Sequence, residues 1–361
     1  MSGALNLLLV GPLPPPSGGM ANQTRQLKRL LEGDGVRVSL VQMNPPYHPG
    51  WVERIHGVRA VFRLLPYVRR IAAESTRADV VHVMANSGWA WHLFAAPAIW
   101  IARIRGAPVV VNYRGGEAES FFEHQFAIIR PTLARAAVVV VPSGFLREVF
   151  AKRGVETVEV PNIVDLAAFH PADSRPAEPH ILVTRNLEPI YDIATAIRAF
   201  EMVLERAPGA RMTIAGSGPQ RAELERLAAE LGVSERVRFT GRLDNSELPA
   251  LYRTASVALN PSLADNMPIS LLEAMASGVP IVSTNVGGIP HLVADGKTAV
   301  LVAPRTPHLM AQAILRLVAD PALAARLSCT GVEASRCYGW SHIRERLYRT
   351  YARVQSARRR A

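Results

Sequence analysis

The sequence predicts an α/β protein built from two doubly wound parallel-sheet domains. Short β-branched runs alternate with helical patterns along the whole chain. These runs are continuously apolar and bounded by Gly or Pro, as in strands covered on both faces. The chain has 361 residues, more than the roughly 250–300 at which a single core stops growing. In the first half, strands are expected at Leu5–Val10, Val36–Val41, Asp79–Met84, Pro108–Asn112 and Ala137–Pro142. In the second half they are expected at His180–Arg185, Arg211–Ala215, Arg236–Thr240, Ser256–Asn260, Val279–Thr284 and Ala299–Val302. Ligands of such folds bind beyond the carboxyl ends of the strands.

Helices fill the intervals, one opening near Met20 and another near Asp192. Residues 52–77 repeat apolar side chains every three to four positions, through Val52, Ile55, Val58, Val61, Leu65, Val68 and Ile71. They read as a helix pair bent near Pro66. The stretch GWAWHLFAAPAIWIAR is too short to cross a bilayer and is interrupted by Pro97, so it reads as a buried helix. The last segment is helical, with Ile343, Leu347, Tyr351 and Val354 on one face. Residues 164–180 hold Pro171, Pro176 and Pro179 and mark a linker. The expected domains are therefore 1–170, 171–335 and a basic helix at 336–361 that packs back toward the first.

Composition narrows the function. With 49% hydrophobic and 20% charged residues, the chain is not disordered. Two cysteines, Cys329 and Cys337, provide neither a disulfide framework nor a structural zinc site. The net charge is +11, unevenly placed: +7 lies in residues 336–361 and +4 in residues 52–77. No zinc finger, Gly-x-x-Gly clamp or Arg/aromatic module accompanies it, so no nucleic-acid partner is expected. The N-terminus MSGALNLLLVG lacks the basic residues of an export signal, which with the cysteine count leads to a cytoplasmic expectation. There is no Asp-x-Asp pair, and the histidines lack metal-ligand spacing, so no metal site is expected. His82, in an apolar strand, and His92, in an apolar helix, read as core or edge residues.

Several loops are candidates for chemistry. Gly18 and Gly19, after the first strand, are either an anion-binding loop opening a helix or an ordinary turn. In PSLADNMPISLLEAMASG, Asn266 reads as an N-cap with Pro268 in the first helical turn. The amides of Met267 to Ile269 would then point outward, Asp265 would precede the cap, and Glu273 would lie two turns in. Glu273 is either a hydroxyl-binding carboxylate or a satisfied helix residue. Arg185 ends the first strand of the second half; its fork suits a diphosphate or a structural ion pair. Gly216 and Gly218 form a second Gly-rich turn on the same edge.

The order of these features, SGG, VPNIVDLAAFHP, TRNLEP, AGSGP, RVRFTGRL, acidic-x7-Glu, GGIPHLVADGKTAVLV and Trp340 in YGWSHIRERL, resembles glycosyltransferase family 4 over nearly the whole chain. The resemblance implies the GT-B fold, two Rossmann-like domains facing a cleft, with the acceptor on the first and the nucleotide sugar on the second. It also implies retaining, hexosyltransferase-type transfer from a UDP- or GDP-linked sugar, without a cofactor, to a glycan or lipid-linked acceptor in cell-surface polysaccharide or glycolipid biosynthesis. The matching catalytic residues are Arg185, Asp265, Glu273 and Arg114. Donor-binding residues would be Gly18, Gly19, Gly216, Gly218, Arg242, Leu243, Asn266, Met267, Pro268 and Tyr191. Four positions depart from the family pattern. Tyr191 replaces a lysine and Asp192 a glycine, Asp265 is one methylene shorter than the usual Glu, and Arg114 stands at a histidine position. Arginine is no base at neutral pH, and the resemblance implies that the leaving phosphate itself takes the acceptor's proton. A silent binding or scaffold protein and a nucleotide-sugar epimerase are the rival expectations. The basic segments are either solvated helix faces and a charged tail or a peripheral site on an anionic membrane, at the inner face of the plasma membrane.

Overall fold

The computed structural model describes residues 5–15, 18–46, 55, 58–174 and 178–360. The chain forms two compact units, one running to Pro161 and regained from Ile343 onward, the other spanning Asn162–His342. The first unit thus ends ahead of the expected boundary at 170.

In the first unit the order is β1 (Asn6–Gly11), α1 (Gly19–Gly33), β2 (Arg37–Gln42), α2 (Val58–Ser75) and β3 (Val80–Ala85). A π-helical turn at Trp91–Ala95 then runs into α3 (Ala96–Ile104), which is followed by β4 (Val109–Tyr113), α4 (Ala118–Leu133), β5 (Val138–Val141), α5 (Gly144–Ala151) and β6 (Val158–Glu159). The sheet order is β2-β1-β3-β4-β5-β6, every pair parallel. β3 and β4 are buried along their whole length, as continuous apolar runs require. β6 was not anticipated. It has two residues and pairs only with β5, too little for a hydrophobic pattern. α2 runs uninterrupted from Val58 to Ser75 with Pro66 inside it. The earlier part of the 52–77 segment, including Val52 and Arg54, lies outside the described residues.

The second unit runs β7 (His180–Val183), α6 (Ile193–Leu204), β8 (Arg211–Ala215), α7 (Arg221–Glu230), β9 (Val237–Gly241), α8 (Leu248–Arg253) and β10 (Val257–Asn260). It continues with α9 (Ile269–Ala276), β11 (Ile281–Thr284), α10 (Ile289–Leu292), β12 (Val300–Val302), α11 (Pro307–Ala319) and α12 (Pro321–Ser335). Its parallel sheet has the order β12-β11-β10-β7-β8-β9. Separate apolar clusters form around Ile181, Phe200 and Ile314 and around Leu182, Leu272 and Ile281. Residues 164–169 do not form a spacer: Val164 and Phe169 join the second of these clusters, and the Val164 N–H donates to the Tyr338 carbonyl at 3.1 Å.

The last helix, α13 (Trp340–Arg360), buries Ile343, Leu347, Tyr351 and Val354 to 2% exposure or less, the face expected from their spacing. From Ile343 it belongs to the first unit. There Arg344 pairs with Asp34 at 3.7 Å, and Arg358 Nη1 donates to the Ala78 carbonyl at 3.3 Å.

Candidate active site

In the second unit the chain leaves β7 through β8 and β9 on one side of the sheet order, then returns to β10 and leaves through β11 and β12 on the other. The crossovers reverse between β7 and β10, and in open sheets of this kind ligands bind beyond the carboxyl ends of the strands at such a switch point. Arg185 follows β7 and the 261–268 loop follows β10, so Arg185, Asp265 and Glu273 converge there although they are far apart in sequence.

Arg185 is the centre of this group. Its Nη2 donates to Ser262 Oγ at 3.2 Å and forms an ion pair with Asp265, and its Nη1 lies 3.5 Å from Ser270 Oγ. Its guanidinium carbon sits 4.2 Å from the ring centroid of Tyr191, a cation–π geometry. The Arg185 Nε is buried with no acceptor among the described residues. Burial lowers the Arg185 pKa, against the pull of Tyr191, Tyr252, Glu188 and Glu273. Tyr191 therefore supplies a ring beside the cation, not the second cation of the family pattern.

Glu273, on α9, is 8% exposed. Burial pushes its carboxyl up to about 8, while the Tyr252 hydrogen bond and the Arg185 charge pull the other way. Tyr252 donates from its hydroxyl toward Glu273 Oε2 at 3.2 Å and toward the Ser270 carbonyl at 3.0 Å, and Thr184 Oγ1 lies 2.7 Å from the same hydroxyl. A buried polar chain continues from Ser262, which donates to Asn260 Oδ1 at 2.7 Å; Asn260 donates to Ser283 Oγ at 3.1 Å, and Thr284 donates to the Ser262 carbonyl at 2.6 Å. The sequence reading missed Tyr252, Ser262, Ser270 and Asn260. The polar residues ending the ALNPS run gave a faint signal, whereas Tyr252 sits in an ordinary helix pattern and gave none.

Asn266 is not the N-cap. Pro268 occupies that place without a side-chain cap, and α9 starts at Ile269. Asn266 is instead buried, with its backbone N–H donating to Asp265 Oδ1 at 2.8 Å. The turn is held from outside: Asn162 Nδ2 donates to the Met267 carbonyl at 2.8 Å, and the Gly288 N–H donates to the Asp265 carbonyl at 2.9 Å. A Cβ on Gly288 would lie 1.9 Å from the Asn266 carbonyl oxygen. Gly216 and Gly218 have a similar role: a Cβ there would approach the Arg185 and Leu187 carbonyl oxygens to 1.9 and 2.2 Å. These glycines let neighbouring loops brace the backbone that carries Arg185 and Asp265. Arg242 is exposed and Leu243 partly buried, just beyond the carboxyl end of edge strand β9.

The first unit carries its own sheet edge. Gly18 is the extended N-cap of α1 and Gly19 its first residue; Pro16 and Ser17 lie outside the described residues. Arg114 follows β4, its N–H donating to the Ala85 carbonyl at 2.9 Å and its Nε to Asn112 Oδ1 at 3.2 Å. Burial lowers its pKa to about 10, which leaves it charged at neutral pH and unable to serve as a base.

Residues 18–162 match the Glycosyl transferase 4-like domain, and residues 167–332 match Glycosyl transferases group 1. The chain belongs to glycosyltransferase family 4. This family-4 chain is 31% identical over 234 residues to a D-inositol 3-phosphate glycosyltransferase of Streptomyces avermitilis, covering 60% of the chain and 50% of that relative. It is 31% identical over 266 residues to a Mycobacterium tuberculosis glycogen synthase, covering 70% of the chain and 63% of the relative. The chain spans about half the length of the first of these curated relatives. Among solved structures, a sucrose-phosphate synthase from Thermosynechococcus elongatus superposes with a TM-score of 0.79 at 22% identity, over 98% of this chain and all of that one. Anabaena HepE in complex with UDP and glucose gives 0.75 at 18% identity, over 96% of this chain and 99% of that one. The fold is GT-B, as the resemblance implied.

Proposed function

We propose that this chain is a retaining hexosyltransferase that moves a sugar from a UDP- or GDP-linked donor to a glycan or lipid-linked acceptor, in the building of cell-surface polysaccharide or glycolipid. The observation that carries the reading is Arg185 at the strand switch point, charged, beside a carboxyl pair and with its buried Nε lacking an acceptor. An unmet buried donor costs about 1–3 kcal/mol, and a diphosphate oxygen relieves that cost. The UDP and glucose held by the HepE structure support a nucleotide-sugar ligand for this fold.

In this reading the bond from the anomeric carbon to the donor's β-phosphate oxygen breaks, and the acceptor oxygen forms the new bond on the same face. The acceptor's proton passes to the departing phosphate. Arg185 stabilises the charge growing on that phosphate. Glu273, near its own pKa at neutral pH, binds hydroxyls of the ribose or sugar. Asp265 holds Arg185 until the diphosphate competes for it, and Asn266, Met267 and Pro268 shape the turn beneath. Gly216, Gly218, Arg242 and Leu243 border the nucleotide side. Arg114, with Gly18 and Gly19, adds positive potential on the acceptor-side unit. No metal or cofactor takes part. The test is incubation with UDP-glucose, UDP-N-acetylglucosamine and GDP-mannose, with and without EDTA, followed by NMR of the product anomer. Inverted product would overturn retention, and turnover lost to EDTA and restored by magnesium would overturn metal independence. Absence of both transfer and hydrolysis would favour the silent binding protein, a reading that Tyr191 in place of a lysine supports.

We also propose a cytoplasmic location with reversible attachment to anionic membrane. No helix among the described residues is long and apolar enough to cross a membrane. On α2, Phe62 and Leu65 are 43% and 48% exposed, and Arg69 shares their face one further turn on. Arg70 is exposed beside them. Exposed arginines near an anionic surface contribute about 1 kcal/mol each. Replacing Arg69 and Arg70 by Gln should reduce co-sedimentation with phosphatidylglycerol vesicles at low salt. Equal sedimentation with neutral and anionic vesicles would refute the attachment.

A further inference from the structure

His82 lies at the middle of β3, fully buried, and the proposed chemistry gives it no role. It is neither a metal ligand nor a packed apolar substitute. Its Nδ1 lies 2.8 Å from the Tyr351 hydroxyl of α13, and its Nε2 lies 3.1 Å from Asn112 Nδ2 on β4. Asn112 Oδ1 in turn lies 3.2 Å from Arg114 Nε. The strand register explains the alignment. His82 pairs with Val110 and Met84 with Asn112, so His82, Asn112 and Arg114 fall on one face of the sheet at two-residue steps. That face also meets Tyr351.

The chemistry of the groups sets the direction of every bond. A guanidinium only donates, so Asn112 must turn its oxygen to Arg114 and its amide nitrogen to His82. The amide nitrogen also only donates, so His82 Nε2 accepts. The imidazole then carries its proton on Nδ1 and donates it to the Tyr351 oxygen. Burial, with the Arg114 charge as a second cause, drives the His82 pKa down to about 3, consistent with one ring proton rather than two.

We propose that His82 and Asn112 are positioning residues for Arg114, holding its guanidinium through a one-way hydrogen-bond chain anchored on Tyr351 of the C-terminal helix. The proposal rests on the reading of Arg114 as part of the transferase site. A guanidinium has several rotamers, and the chain selects one by occupying Nε. A cation misplaced by about 1 Å loses much of its effect on developing charge. The last helix thereby contributes to catalysis through its seat against the sheet, without touching substrate.

The experiment separates positioning from stability. His82→Phe alone leaves the Tyr351 hydroxyl and the Asn112 amide buried without the imidazole, so it lowers the unfolding midpoint as well as activity. The double variant His82→Phe/Tyr351→Phe also removes the stranded hydroxyl and should regain the part of that stability that the hydroxyl cost, leaving only the Asn112 amide without its acceptor. If His82 positions Arg114, kcat for UDP-glucose hydrolysis or transfer stays about tenfold below wild type in the double variant, with KM changed little, and the Arg114 Nε–H resonance exchanges faster with solvent. Recovery of kcat together with the midpoint would overturn the proposal. Nitrogen-15 NMR of the wild-type imidazole tests the chain independently of turnover: an Nδ1–H tautomer is expected, and an Nε2–H tautomer would overturn it. Arg114→Gln is the control for the underlying reading. Full turnover in that variant with an Nδ1–H tautomer at His82 would remove Arg114 from the chemistry, and the functional part of the proposal with it, while leaving the bonding chain intact.

Discussion

Replacing Glu273 by Gln should make the protein more stable and a poorer enzyme, and the gain in stability should depend on pH. The carboxyl rises from an ordinary 4.5 to about 8 in the folded protein, chiefly through burial. Because the folded state binds the proton more tightly than the unfolded one, the favourable contribution is complete below about 4.5. It is lost progressively as pH rises toward 8. Each pKa unit is worth 1.36 kcal/mol, so wild type gives up at most about 5 kcal/mol relative to a non-titrating side chain across that interval. Glutamine is such a side chain, and its amide oxygen can still accept the Tyr252 hydrogen. Urea unfolding of both proteins at unit steps from pH 5 to 9 should show a stability difference that widens by up to about 1.4 kcal/mol per pH unit and levels off near pH 8. Titration calorimetry with UDP-glucose should show weaker binding by the variant throughout. A stability difference independent of pH would refute the reasoning, since it would mean that Glu273 titrates as it does in water.

Arg185→Ala should weaken UDP binding at least tenfold by calorimetry, because charge-assisted bonds to the diphosphate contribute about 1.5–3 kcal/mol; unchanged affinity would remove Arg185 from the donor site. Gly216→Ala should lower the unfolding midpoint and UDP affinity together, since its Cβ would stand 1.9 Å from the Arg185 carbonyl oxygen and force that backbone away. Overpacking of this kind costs about 1–3 kcal/mol, and a neutral outcome would show that the two loops slide apart without consequence.

The sheets were legible because their strands are long apolar runs with sharp Gly or Pro ends. β6 was not, because two residues carry no period. The candidate site was legible where a charged residue closely follows a strand, as Arg185 does after β7, or follows an apolar run, as Asp265 does. Its supporting network was hidden for a different reason. Tyr252, Ser262 and Asn260 join the site only through strand order, since β10 comes to lie beside β7 after a long detour in sequence. Gly216 and Gly218 read as a Gly-rich turn on the ligand edge, and the structure adds what that pattern could not show: their missing side chains admit the carbonyls of the adjacent loop. Asn266 looked like a cap by residue type, but its side chain was drawn into the buried turn and left the helix to begin after Pro268.

The paired exchange at Tyr191 and Asp192 shows how a departure from a family pattern can be self-consistent. Asp192 adopts φ 43° and ψ 49°, the left-handed region where glycine is at ease and most residues are strained. Aspartate tolerates it, and here the carboxylate is also the N-cap of α6, accepting from the Thr195 hydroxyl at 2.7 Å and from the Thr195 N–H at 3.4 Å. The cap offsets the backbone strain, so the turn at Pro189–Tyr191 stays closed and lays the Tyr191 ring over Arg185. Glycine at 192 would relieve the strain but forgo the cap, and the two changes are of similar size. Asp192→Gly should therefore alter stability by only a few tenths of a kcal/mol, whereas Asp192→Ala keeps the strain, loses the cap and should cost about 1–2 kcal/mol. Equilibrium unfolding distinguishes the two, and equal losses would show that the cap contributes nothing. UDP affinity should follow the same order, because only the alanine variant displaces the turn that holds the ring against the guanidinium.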